Sequence, residues 1–190
     1  GYSEAQTKQM LSASKEIAIF HSANMSLGMG LLMHLVKEAT VFLGDEFDVE
    51  IIEAHHRQKL DSPSGTALAL ADAVSQVKPS PLVYGRKRGD RRRDNEIGVH
   101  SIRGGTAVGE HEVRFLGMGE QLKLCHQAES KEVFVRGAER AMRFIITKEN
   151  GFYDMNSIIA GLPFDEFVRQ SVSPPKTSQN NVKTRKKHSN

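Results

Sequence analysis

The stretch GVHSIRGGTAVGEHEVRFLGMGEQLKLCHQ, residues 98–127, decides the fold. It reads as three consecutive strands, Gly98–Arg103, Val108–Phe115 and Gln121–Gln127, with alternating side chains. Gly104-Gly105 and Gly117-Met118-Gly119 are their turns. Immediately upstream lies a different unit. A strand from Phe47 to Ala54 carries Val49, Ile51 and Ile52. It leads through His55-His56 and the loop Asp61-Ser62-Pro63-Ser64-Gly65 into a helix from Thr66 to about Val77, with Leu68, Leu70, Ala71 and Val74. Lys78-Pro79-Ser80-Pro81 breaks that helix. One strand–loop–helix unit followed by a run of strands predicts an α+β fold: a mixed four-stranded sheet with helices on one side.

Working outward, residues 4–14 predict a polar-faced helix with Ala5, Met10 and Leu11 as its apolar positions. Ile17-Ala18-Ile19-Phe20 is a short apolar run of the kind found in buried parallel strands. Asn24 and Ser26 are good N-cap residues for a helix from about Leu27 to Phe42, with Leu31, Leu35 and Ala39 at helical spacing and Gly44-Asp45 as its stop. Residues 85–96, rich in Gly and Arg, read as an exposed loop. Ser130 caps a long helix to about Lys148, with Phe134, Ala138, Ala141 and Ile145 on one face and Asn150-Gly151 at its end. Ser157–Leu162 reads as a last short helix. From Ser171 the chain is Pro, Ser, Thr, Asn and Lys, a composition that buries no core and predicts disorder.

The 190 residues carry 26 Lys and Arg against 23 Asp and Glu, for a formal net charge of +3. Five of the basic residues, and no acid, lie in Ser171–Asn190. The remainder is therefore slightly acidic, which argues against a nucleic-acid-binding domain with a basic face; any such contact belongs to the tail. The single cysteine, Cys125, excludes a disulfide framework and a cysteine-rich zinc site. Flanked by Leu124 and His126, it reads as a buried packing residue. No run approaches the roughly 18 apolar residues of a membrane span. The start, Gly1-Tyr2-Ser3-Glu4, reads as if cut from something longer.

The densest chemistry is Glu53-Ala54-His55-His56-Arg57-Gln58-Lys59-Leu60-Asp61-Ser62-Pro63-Ser64-Gly65-Thr66-Ala67. It sits where a strand ends and a helix begins, so helix-start N–H groups point into the adjoining crevice. Ser64, Gly65 and Thr66 offer such N–H groups and two hydroxyls, and Lys59 adds positive charge. Together they suit a carboxylate or phosphate. His55 and His56 exchange protons near neutral pH. The blander alternative is that Ser64 merely caps the helix and the histidines are surface groups. A metal reading is weaker still: adjacent histidines on an extended chain diverge, and His100, His111 and His126 lack ligand spacing. Gly28-Met29-Gly30 half-matches a dinucleotide fingerprint but lies inside a helical pattern, where close helix packing explains it. Arg140 reads either as a salt-bridge partner or as a ligand contact.

The cluster at 53–67 closely resembles the signature E-x-H-H-x-x-K-x-D-x-P-S-G-T-A of the 4-hydroxy-tetrahydrodipicolinate reductases (dihydrodipicolinate reductases), matching at every fixed position. Ser22-Ala23-Asn24-Met25, His100-Ser101-Ile102-Arg103-Gly104-Gly105, Gly109-Glu110-His111, Arg136-Gly137-Ala138-Glu139-Arg140-Ala141 and Gly151-Phe152-Tyr153-Asp154-Met155 extend the resemblance over roughly residues 1–165. The family's Rossmann fingerprint is not present, and Met25 stands where an aromatic residue is common.

The resemblance implies NADPH- or NADH-dependent reduction of a cyclic dicarboxylate in the diaminopimelate route to lysine, in the cytoplasm, by a homotetramer assembled through the sheet. It implies His55 and Lys59 as catalytic proton donors. His56, Ser64, Gly65, Thr66 and Arg140 would hold the substrate carboxylates, and Ser22, Ala23, Asn24 and Met25 would meet the cofactor. No metal is implied. The domains it implies are residues 1–25 as the end of a dinucleotide-binding domain, 26–136 for substrate binding and oligomerisation, 137–170 as a helical segment returning toward the first, and 171–190 as the tail. The competing expectation is a non-enzymatic dicarboxylate-binding or assembly module.

Overall fold

The computed structural model describes residues 2–160. In chain order these form α1 (Glu4–Ala13), β1 (Ala18–Phe20), α2 (Leu27–Leu43), β2 (Asp48–His55), α3 (Gly65–Ser75), β3 (Leu82–Tyr84), β4 (Ile97–Arg103), β5 (Gly109–Leu116), β6 (Gln121–Ala128), α4 (Glu132–Ile145), β7 (Gly151–Tyr153) and α5 (Met155–Ala160). The α+β class holds, with two sheets. The main one is mixed and five-stranded, in the order β3-β4-β2-β5-β6; the other pairs β1 with β7. The sequence reading of four strands missed β3, and it missed β7 as the partner of β1. Both are three residues long, too short for a period-2 pattern to stand out.

The strand order also corrects the turn at Gly104-Gly105. β4 runs parallel to β2, and β5 runs antiparallel to β2 on its other side. The segment between β4 and β5 therefore crosses the C-terminal end of β2 instead of joining neighbours. It is tied down there by His56 N–H to the Ala107 carbonyl (2.8 Å) and Gly104 N–H to the His55 carbonyl (3.0 Å). The second turn is a true hairpin, closed by Gly117 N–H to the Glu120 carbonyl (3.0 Å), with Gly119 at φ +85°.

Helices α2 and α3 pack on one face of this sheet. The core joins Met29, Leu32 and Val36 of α2, Leu70 and Val74 of α3, and Val49, Ile51, Ile97, Val99, Val113 and Phe115 of the strands. The inward stripe of α2 is offset by one position from the expected Leu31, Leu35 and Ala39; Leu31 is exposed. By length and composition Leu27–Glu46 is apolar enough to cross a membrane, against the sequence reading, but Met29, Leu32 and Val36 bury it as a core helix. Gly28 and Gly30 are close-packing positions, as expected. A β-carbon on Gly30 would meet Ile159 Cδ1 at 2.8 Å, and one on Gly28 would meet His126 at 2.9 Å.

Among the described residues, no helix packs on the opposite face of the main sheet. Cys125 lies exposed on it beside Glu110 and Glu112, not buried as its apolar neighbours suggested, because only the residues paired with the core face are covered. The arginine-rich loop is not wholly solvated either. Arg86 and Arg92 fold back onto Glu50 (2.5 Å each), which also takes His100 Nε2 at 2.6 Å, and Arg86 bonds Glu96.

A second core joins Ala141, Met155 and Ile158 to Phe20, Met25, Leu27 and Phe144. It fastens α4 and α5 around β1 and β7, which pair in parallel from Ala18–Gly151 to Phe20–Tyr153. The expected final helix starts at Met155, earlier than predicted, and Leu162 and the tail 171–190 lie outside the described residues. Gly137 sits where a β-carbon would overlap the Met25 carbonyl oxygen, a backbone atom that cannot swing aside. Gly137→Ala is expected to destabilise the protein by about 2 kcal/mol or more through overpacking. Urea denaturation checks this; an unchanged midpoint would show that α4 shifts freely over the Met25 turn.

Candidate active site

Along β2 and β5 the core face changes character. Val49 pairs with Phe115 and Ile51 with Val113, and then Glu53 pairs with His111. The next inward residues are His55 and Gly109. The polar end of this face is where β2 hands over to the loop 56–64 and α3.

Glu53 is fully buried. Its carboxylate accepts from Arg103 at 2.7 and 2.8 Å, from Ser64 N–H at 3.2 Å and from His55 Nδ1 at 2.5 Å. Burial pushes this acid up, but the bonds from Arg103, Ser101 and His55 and the charge of Arg103 outweigh it and hold it at about 2. His111, also buried, is pulled down to about 4, chiefly by burial and then by the neighbouring His55. It is neutral at physiological pH and meets Ser64 Oγ at 3.1 Å. Its ring packs edge-on to His55, with centroids 5.1 Å apart.

A cavity of about 360 Å³ opens beside these groups. Of the residues singled out from sequence, His55, His56, Lys59, Thr66, Ala23, Asn24 and Met25 all line it. Asn24 Nδ2 donates to Thr66 Oγ1 at 3.2 Å, which locks the turn at 22–26 to the start of α3. Lys59 Nζ lies 2.9 Å from Asp61 Oδ1, and this contact first of all holds the Asp61 carboxyl below its usual range. His56 Nδ1 is buried without a hydrogen-bond partner among the described residues, an orphaned group that a bound polar ligand would satisfy.

Four residues are not brought to this cavity. The Ser64 hydroxyl is spent inside the fold, accepting from Ala67 N–H at 3.1 Å as the α3 cap and meeting His111. A β-carbon on Gly65 would meet nothing within 4 Å. Ser22 donates to the Asn24 carbonyl and lines a separate hollow. Arg140 lines a neighbouring cavity of about 590 Å³ with Arg136 and Arg143, and His126 forms part of the wall of both. His100 sits with Glu50, away from His55.

Sequence reasoning missed Glu53, Arg103, His111 and His126 as parts of the site. The signal for the histidines was available. Counting back from the hairpin at 117–120 places His126 opposite His111 on one face. His126 Nε2 meets Ser26 Oγ at 3.1 Å, and burial pulls its proton affinity down.

Four histidines and a lysine line one cavity, a set of groups whose chemistry suits an anion and the exchange of protons. Known proteins share this framework. The chain matches the family model "Dihydrodipicolinate reductase, C-terminus" over residues 28–159. It is 51% identical over 162 residues to the 4-hydroxy-tetrahydrodipicolinate reductase of Caldanaerobacter subterraneus subsp. tengcongensis, covering 84% of this chain and 64% of that protein. The Clostridium tetani enzyme of the same name is 47% identical over 161 residues, covering 84% and 63%. A solved structure, dipicolinate-bound dihydrodipicolinate reductase from Paenisporosarcina sp. TG-14, superposes with a TM-score of 0.63 at 25% identity, covering 81% of this chain and 60% of that one. The chain belongs to the dihydrodipicolinate reductase family and spans less than two thirds of the length of these relatives.

The buried titrations set an acid limit on stability. The folded values, about 4 for His111 and about 2 for Glu53, lie below the ordinary 6.5 and 4.5, so the unfolded chain binds each proton more tightly. Stability is fully present above the ordinary value of each group and is lost as pH falls, from 6.5 toward 4 for His111 and from 4.5 toward 2 for Glu53. Each contributes on the order of 3 kcal/mol. His111→Gln is expected to flatten the upper limb, measured as urea midpoints at stepped pH; an equal slope in variant and parent would remove His111 as its source.

Proposed function

We propose that this chain is the substrate-binding and proton-donating part of a nicotinamide-dependent reductase acting on the cyclic dicarboxylate 4-hydroxy-tetrahydrodipicolinate, in the lysine branch of diaminopimelate metabolism and in the cytoplasm. The observation that carries this reading is the convergence of His55, His56, Lys59 and Thr66 with the Asn24–Met25 turn on one cavity. The dipicolinate bound to the related reductase from Paenisporosarcina is a planar dicarboxylate, which agrees with a cationic cavity of this size.

His55 and Lys59 are the proton donors. His56, whose Nδ1 is otherwise unpartnered among the described residues, and Thr66 hold one carboxylate. Ser64 and Gly65 act through the start of α3, and Arg140 reaches the substrate from the adjoining cavity. Ala23, Asn24 and Met25, with Ser22 bracing the turn, form the wall against which NADPH or NADH would place its nicotinamide. Ala23 and Met25 suit the flat ring, and Asn24 holds them against Thr66. When bound, that group supplies the hydride; the protein's own part is to orient the dicarboxylate, whose 4-hydroxyl leaves as water, and to deliver a proton to the carbon beside the reduced one.

The pairing of β1 with β7 supports a division in which residues 1–25 and 137–170 belong with a dinucleotide-binding unit and 26–136 bind substrate. The face that carries no helix among the described residues, with Ile102 exposed on it, suits sheet-to-sheet packing into a homotetramer.

In the intact enzyme, His55→Ala or Lys59→Ala is expected to lower kcat by about 10²-fold, the scale of a lost general acid. Changes under about threefold in both would sink the assignment. Calorimetry with pyridine-2,6-dicarboxylate tests the cavity itself: binding by this chain is expected to weaken at least about tenfold in His56→Ala. Binding with no reductase activity in any longer form of the protein would favour the binding-module alternative.

A further inference from the structure

A histidine that donates a proton must present one particular ring nitrogen to the cavity, and a neighbouring group has to decide which. We propose that Glu53 is the positioning residue of the site: its carboxylate, clamped by Arg103, keeps a proton on His55 Nδ1 and so presents Nε2 as the nitrogen that exchanges protons in the cavity.

The balance of donors and acceptors requires this. Apart from the Ser101 hydroxyl, Glu53 has four hydrogen-bond contacts: two nitrogens of Arg103, the Ser64 N–H and His55 Nδ1. Guanidinium and backbone N–H groups only donate, and an ionised carboxylate only accepts. At 2.5 Å from Glu53 Oε2, Nδ1 must therefore carry the hydrogen. In the neutral ring Nε2 is then a bare acceptor; in the charged ring it is the exchangeable N–H.

The surroundings fit this orientation. Gly109 lies against Nε2, where a β-carbon would approach to 3.0 Å, so the absence of a side chain there leaves that nitrogen accessible. Arg103 also donates to the carbonyls of Asp61 (2.6 Å) and Ile102 (2.7 Å), which ties the clamp to the loop carrying Lys59. His111, the other ring against His55, meets Ser64 rather than His55 through its Nε2 and does not compete for Nδ1.

The test is the imidazole nitrogen NMR spectrum of ¹⁵N-histidine-labelled protein, read at alkaline pH where imidazoles are neutral. The parent is expected to show the Nδ1–H tautomer. In Glu53→Gln the NH₂ takes the Oε2 position facing His55, because at Oε1 it would meet two pure donors, Arg103 and the Ser64 N–H, and the ring is expected to switch to the Nε2–H tautomer. Arg103→Lys, which keeps charge and a donor, is expected to retain Nδ1–H. In the intact enzyme Glu53→Gln should then lower kcat by about 10²- to 10⁴-fold with KM within about threefold, as for a catalytic imidazole held in the wrong tautomer.

An Nε2–H tautomer in the parent, or an unchanged tautomer in folded Glu53→Gln, overturns the proposal. If that variant does not fold, the parent spectrum decides alone. The catalytic consequence rests on His55 being the proton donor, as proposed above. Should His55→Ala keep full activity while the parent shows Nδ1–H, that reading fails and the positioning of the ring by Glu53 stands.

Discussion

A carboxylate taken out of water must find compensation for its lost hydration, and in this protein the compensation organises the site. Glu53, near the end of the central strand β2, recruits Arg103 from β4, the first N–H of the α3 cap and the ring of His55. One buried charge thus joins two strands, a helix start and the loop between them. The same constraint explains why the polar cluster can sit at the end of a core face instead of at the surface. Most of its polar atoms are satisfied within the cluster; among the described residues Arg103 Nε and His56 Nδ1 stay buried without a partner, and His56 is the one that lines the cavity.

The sheet's shared face lets stability and chemistry occupy one surface in sequence. Toward the start of β2 the paired residues are Val49, Ile51, Val113 and Phe115, which α2 and α3 cover. Two residues further on the same alternation delivers Glu53, His55 and His111 with no change of backbone geometry. The rigidity of the apolar half is inherited by the polar half, because both hang on the same hydrogen-bonded strands. The precision that the proposed proton transfer would need follows from strand register more than from the loop.

Much of this was legible in the amino-acid order. The helices at 27–43, 65–75 and 132–145, the strand at 48–55 and the hairpin at 109–128 follow from periodicity, caps and glycine turns. That His55, His56, Lys59 and Thr66 share one cavity was legible because so many of these groups are adjacent in sequence. What stayed hidden is non-local. The insertion of β2 between β4 and β5 depends on pairings that local alternation cannot express, and the short connection at Gly104-Gly105 imitates a hairpin. Glu53 and Arg103 meet only because β2 and β4 pair His55 with Arg103. The exposure of Cys125 follows from a sheet covered on one face, which the pattern of β6 alone does not reveal.

The pairing of β1 with β7 bears on the order in which the molecule assembles. Ala18 finds its partner only when Gly151 is in place, whereas the main sheet uses residues 48–128 and can close before then. Closing so long a loop costs entropy that three residues of strand pairing cannot offset unaided. The small sheet therefore depends on the main one: the folded sheet holds Met25 and Leu27 near α4, and only then do the two distant strands lie close enough to meet. The half built on the main sheet is thus the template, and the turn at 22–26, which forms one wall of the cavity, is the last part to be fixed from both sides.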